Sequence, residues 1–170
     1  SMPTIEIWNL GTFKYNYKND TNIKYNVISS CLFKLTDSFS FHRYTKNLLE
    51  FKNIKHVKDK KFVFRIYYDN SILEDKYIKK IWAKLNKYYQ MVHYDCPSFK
   101  NKDGKHDGTF GTLIRFLPFH DFLENDTKWC YVTDLDGSVD SIQFKINFFW
   151  ENVHKHKLSF LYTYWYCHSP

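Results

Sequence analysis

The sequence predicts an α/β fold, a mostly parallel open sheet flanked by helices, and three observations carry that prediction. Short runs of β-favouring residues alternate with longer stretches whose apolar residues recur at helical spacing. Most of those runs end in Asp, Asn, Ser, Gly or Pro, the residues that turn a chain. One of them, Trp129-Cys130-Tyr131-Val132-Thr133, leads straight into Asp134-Leu135-Asp136-Gly137, two acids one residue apart at the carboxyl end of a strand. In open α/β sheets that end is where ligands bind.

The elements follow in order. Ile5-Glu6-Ile7-Trp8 and its neighbours, within residues 1–20, read as an edge extension. Val27 to Phe33 is the first apolar strand, and Tyr44 to Phe51 reads as a short helix behind it. Phe62 to Tyr68 is rich in β-branched and aromatic residues and is stopped by Asp69-Asn70-Ser71. From Leu73 to Tyr89 the stripe Ile78, Ile81, Trp82, Leu85 and Tyr88 predicts a helix. Met91 to Tyr94 is a strand closed by Asp95-Cys96-Pro97, and Ser98 to Gly108 is polar and reads as a mobile loop. Phe110 to Phe122 has helical spacing broken by Pro118. After the acid pair, Ser141 to His156 reads as a helix and Leu158 to Tyr166 as a final strand.

Composition bounds the class. A chain of 170 residues suits one domain with a real core, and no repeat or linker divides residues 1–170. Ser1-Met2 reads as a cleavage remnant ahead of a natural start at Met2, in a protein that can continue past Pro170. Hydrophobic residues at 44% exclude a disordered chain. The 21% aromatic content comes with many Lys, Asn and Ile and only 5 Gly, a bias that an AT-rich genome would encode, so the aromatics alone argue no function. A net charge of +7 attracts polyanions or an anionic ligand. The lysines are spread as on helix faces and no nucleic-acid motif accompanies them, so nucleic acid is not the expected partner.

Cys31, Cys96, Cys130 and Cys167 lie far apart without a CxxC; Cys31 and Cys130, in apolar runs, read as buried thiols. With no secretory signal and no run of about 20 apolar residues, no membrane span is expected and the cytoplasm is the expected compartment.

Parallel strands joined by right-handed crossovers bring their carboxyl ends to one rim. Asp69, Asp95, Asp134 and Asp136 all end strands, so four carboxylates are expected around one crevice. Hard oxygen ligands side by side suit Mg²⁺ or Mn²⁺, usually shared with a phosphate.

This order of motifs resembles the nucleotide-sugar glycosyltransferases of the GT-A fold, a Rossmann-like nucleotide-binding architecture. Phe64 to Ser71 is similar to their second strand, ending in an acid near the nucleoside. His106-Asp107-Gly108-Thr109-Phe110-Gly111-Thr112-Leu113-Ile114-Arg115-Phe116-Leu117-Pro118 resembles the segment before the metal strand in viral and related members, and Val132 to Ser138 resembles the DxD motif. Tyr44, Asn47 and Leu48 fall where the family places a helix. The resemblance spans roughly residues 27–140, and full GT-A enzymes run well beyond this length.

The resemblance implies a metal-dependent transferase moving a sugar from a nucleotide-sugar donor to a glycan or protein acceptor, in the host cytoplasm if viral. Asp136 is then the direct ligand of Mn²⁺ or Mg²⁺, and Asp134 meets the metal or the ribose. Arg115 meets phosphate or sugar hydroxyls, its alternative being a pair with a carboxylate. Asp69 meets base or ribose, its alternative being a turn after a strand. Asp95, His106, Asp107, His154, His156 and His168 are further candidates, the last three as a C-terminal metal ligand. Two other readings compete: a non-catalytic basic module for nucleic acid, and a carboxylate-based nucleotidyl-transfer or nuclease-like enzyme with two metals.

Overall fold

The computed structural model of the protein describes residues 3–18, 23–34, 38–119 and 126–159. An amino-terminal hairpin comes first, β1 (Thr4–Ile7) and β2 (Gly11–Tyr15), turned by Asn9 in the left-handed conformation. Four further strands follow: β3 (Tyr25–Leu32), β4 (Val63–Tyr68), β5 (Gln90–Asp95) and β6 (Thr127–Val132). The α-helices are α1 (Ser38–Thr45), α2 (Lys55–Lys58), α3 (Lys76–Tyr88), α4 (Gly108–Leu113) and α5 (Val139–Lys155).

The six strands form one sheet in the order β1-β2-β5-β4-β3-β6. The run β5-β4-β3-β6 is parallel, whereas β2 pairs antiparallel with both β5 and β1. The class is therefore α/β as expected, but the sheet is mixed. The edge extension is a hairpin rather than a lone strand, and only a glycine admits its approach. A Cβ on Gly11 would lie 2.1 Å from the Asp95 carbonyl oxygen.

Both faces of the sheet are covered. On one, Ile28, Phe64, Ile66 and Met91 pack under Ile78, Ile81 and Leu85 of α3 and Ile142, Ile146 and Phe149 of α5. On the other, Phe13, Tyr67, Val92 and Tyr94 lie under Ile114 and Leu117. Asp75 caps α3 by accepting the amides of Tyr77 and Ile78, the usual cure for donors left free at a helix start.

Three local expectations change. The helix expected over Tyr44–Phe51 lies earlier, at α1, and turns follow it. Leu48, Phe51 and Ile54 are fully buried at a spacing of three, which successive tight turns satisfy as well as a helix does. The amides of Leu48, Glu50, Asn53 and Ile54 each donate to the carbonyl three residues back. Secondly, the segment read as a mobile loop is folded. Lys100 and His106 form a bridge, Asn101 Oδ1 accepts the amides of Asp103 and Lys105, and Phe99 stacks on Phe110 at 4.3 Å. Thirdly, the helix read over Phe110–Phe122 begins at Gly108 and tightens to a 3₁₀ turn over Ile114–Phe119, which holds Pro118. Of the last expected strand, Leu158 and Ser159 are not extended ladder residues, and the remainder lies outside the described residues.

Candidate functional site

Strand order fixes where a site belongs. From β3 the chain steps one way to β4 and β5, then returns across the sheet to β6 on the other side of β3. Neighbouring strands whose connections leave in opposite directions part at their carboxyl ends, and ligands of open α/β sheets bind in that gap. A cleft of about 440 Å³ occupies it. Its walls are Cys31, Leu32 and Phe33 at the end of β3, Asp134 and Leu135 beyond β6, Tyr44 of α1, and Asp107, Gly108, Thr109 and Thr112 around the start of α4.

The acid pair owes its geometry to the residue between its members. Leu135 is 1% exposed and packs in the core, so chain alternation turns both Asp134 and Asp136 outward. The backbone before it is pinned: the Thr133 amide donates to the Ser29 carbonyl at 3.0 Å, and Ser30 Oγ donates to the Thr133 carbonyl at 2.7 Å. Beyond it, Asn47 Nδ2 donates to the Gly137 carbonyl at 3.0 Å. Gly137 keeps a negative φ, and a Cβ there would only touch Ile142 at 3.4 Å. The glycine is thus not required for the turn.

Each acid faces an arginine. Arg115, on the 3₁₀ turn, uses Nη1 both for the Asp134 carboxylate and for the Thr133 carbonyl. Its own carbonyl accepts from Ser29 Oγ at 2.6 Å, which fixes it against β3. Arg43 Nη2 lies 4.0 Å from Asp136 Oδ2, with both side chains open to solvent. A second, smaller cleft of about 180 Å³ lies on the other side of the pair and is walled by Arg115, Tyr131, Thr133, Asp136 and Lys145, among others. Cys31, in the larger cleft, has its thiol pushed up to about 11 by burial, so it stays protonated at neutral pH and is no nucleophile.

Asp69 and Asp95 do not join the pair. β3 separates β4 from β6, which sets their ends about 10 Å apart. Asp69 is 4% exposed and accepts from the Ser71 amide and hydroxyl, while its other oxygen meets His106 Nδ1 at 2.9 Å. His106 Nε2 accepts the Cys96 amide at 2.9 Å, and its ring stacks against Phe110. Both side chains are 5% exposed, so these two candidates meet each other and not the cleft. Asp95 pairs with Lys100 at 2.6 Å, and that bond holds its carboxyl below the usual range. Asp107 caps α4 through the Thr109 amide and lines the cleft.

His154 and His156 lie at the far end of α5, roughly 24 Å along the helix from the acid pair at 1.5 Å per residue. His154 Nδ1 bonds the Trp150 carbonyl at 2.7 Å. His168 lies outside the described residues. Among the described residues no three His, Cys, Asp or Glu side chains converge as a metal-binding group. Arg43 and Lys145 were not readable as site residues, because they stand 93 residues before and 9 after Asp136 on helical positions that carry no motif.

No family model, curated protein or solved structure matches the chain.

Proposed function

We propose that the chain is the donor-binding domain of a metal-dependent glycosyltransferase with a GT-A-like architecture, taking a nucleotide-sugar in the cleft between β3 and β6. One observation carries the reading: an outward-facing acid pair stands at the reversal of strand order, Asp134 on the wall of a cleft large enough for a nucleoside and Asp136 on the smaller cleft beside it. The apolar and hydroxyl groups of that cleft suit a base and ribose. Arg115 and Lys145 at the smaller cleft suit phosphate oxygens.

A divalent cation fits the residues present. Mg²⁺ and its relatives are commonly held by one or two carboxylates, with water and substrate phosphates completing the shell. Asp136 has that capacity, since its ion-pair partner Arg43 stands 4.0 Å away with its side chain open to solvent. Asp134 is committed to Arg115, so Asp136 would be the direct ligand and Asp134 would orient the guanidinium. The cation, when bound, would neutralise the diphosphate as it leaves. The chain's own part is to bind the nucleoside, hold Arg115 through Ser29 and Thr133, and fix the acid pair by burying Leu135. The two-metal nuclease-like alternative asks for more ligands than this pair; among the described residues no three His, Cys, Asp or Glu side chains group to hold a metal, and Asp107, also on the cleft wall, caps α4.

The test is a thermal-shift panel of UDP and GDP with and without Mn²⁺ or Mg²⁺. Ligand at about 100 times its Kd adds about 2.7 kcal/mol, which in a chain of this size is a rise of roughly 5–10 °C. Asp136→Ala should abolish the metal-dependent part. A full rise in that variant, or none with any nucleotide in the parent, overturns the proposal.

A further inference from the structure

The outer surface of α3 carries five lysines and no acid. Lys76, Lys79, Lys80, Lys84 and Lys87 are all exposed. Five more lysines lie between Lys52 and Lys61, so these two segments hold ten of the chain's 25 Lys and Arg residues, all of them lysine. The two segments share a surface. The Lys52 amide donates to Tyr89 Oη, and the Lys52 and Lys87 ammonium groups lie 4.6 and 5.5 Å from the Tyr88 ring centre.

Among the described residues little of the charge on α3 is compensated. Glu74 takes Lys79 at 2.7 Å, and Asp75 is spent on capping α3 and on Lys34. Among the described residues, Lys76, Lys80, Lys84 and Lys87 have no carboxylate within ion-pair distance. Lys76, Lys80 and Lys84 follow one another at i, i+4, an arrangement of like charges that weakens an isolated helix.

We propose that this face docks the protein on an anionic lipid bilayer. The surface is a convex helix flanked by further lysines rather than a groove that tracks a strand. It lacks arginine, the fork that grips single phosphates and bases. Tyr88, whose ring would offer a stacking platform for a base, already has two ammonium groups against it. A planar layer of headgroups needs only diffuse positive charge. Exposed Tyr77 and Tyr88, at either end of the helix, are the residue type that settles at headgroup level. Among the described residues no helix is long and apolar enough to cross a membrane, and the proposed contact is a peripheral one made through the lysine face.

The experiment is vesicle co-sedimentation of the full chain with phosphatidylcholine alone and with about one-third phosphatidylserine. Binding should require the anionic lipid and fall steeply as salt shortens the screening length. Substituting Lys80→Gln, Lys84→Gln and Lys87→Gln should weaken it about fivefold per lysine, about 100-fold together. The charge-matched control Lys102→Gln, Lys105→Gln and Lys128→Gln should change it less than about threefold on the same scale. Circular dichroism and melting confirm that both variants stay folded. Equal binding to neutral vesicles, equal loss in both triple variants, or salt-sensitive capture of single-stranded RNA without vesicle binding would overturn the proposal.

Discussion

Two of the acid-ended strands on the rim of this sheet have opposite fates. Asp69 ends β4, in the interior of the sheet, and is closed over: its oxygens are taken by Ser71 and His106, and the folded 97–107 segment seals it from water. Asp134 and Asp136 end β6, at the reversal of strand order, and stay open to solvent beside a cleft. The same sequence signal has become a structural tie in one place and a candidate ligand site in the other. The difference lies in the neighbours. β4 has a strand on each side and a segment returning over its end, whereas the return to β6 leaves a gap.

That contrast can be broken by mutation. Asp69→Ala should be the costliest change, because it strands the Ser71 and His106 donors in a buried place. A loss of about 3 kcal/mol is expected, read as a melting temperature lower by roughly 6–12 °C. A loss below that of an ordinary surface substitution would show that the tie carries no stability.

Gly111→Ala tests the wall of the open site. A Cβ there would fall 2.7 Å from Phe33 Cδ1, and the ring it would push lines the cleft. The expected cost is about 1–2 kcal/mol by urea unfolding, together with weaker nucleotide binding if the cleft is the donor site.

Asp134→Ala should sit at the other extreme from Asp69→Ala. Its carboxylate is largely exposed, so equilibrium unfolding should change by about 1 kcal/mol or less. Binding at the cleft should nonetheless suffer, because Arg115 loses its orienting partner. A large stability loss would make this acid a tie like Asp69.

The smallest effect is in pH. Burial lowers the pKa values of His56 and His93 below the ordinary 6.5. Each imidazole is therefore held neutral in the fold, and the unfolded chain binds the proton first. Stability should be flat above pH 6.5 and fall as pH drops below it, with a slope of at most two protons. His93→Gln should flatten part of that decline in urea titrations run across the range. Asp95, held low chiefly by its hydrogen bond to Lys100, adds a further loss only near the carboxylate range, as pH falls through its folded value.

Much of the site was legible before the fold was seen. Asp134 and Asp136 could be placed at a strand end because Trp129 to Val132 is an apolar run, and their outward direction follows from Leu135 being the apolar residue between them. Arg115 was marked by its place before that strand, and its carboxylate pairing was one of the two roles open to it. The pairing of His106 with Asp69 was not legible. It joins residues 37 apart, and a polar segment rich in Lys and Asn gives no sign that Asn101 and Phe99 will fold it. The turns over Leu48, Phe51 and Ile54 escaped because a spacing of three is common to helices and tight turns.

The sequence by itself determined the four strands from Val27 to Thr133 and the two long helices α3 and α5, the α/β class, and the presence of acids where strands stop. Those follow from local rules, since periodicity and turn residues act over a few positions. Only the tertiary structure decided that the sheet is mixed, that β6 lies beside β3, and that Asp69 is buried while Asp134 and Asp136 stay open to solvent. Strand order is set by which apolar faces find each other across the chain, and no short window records that choice.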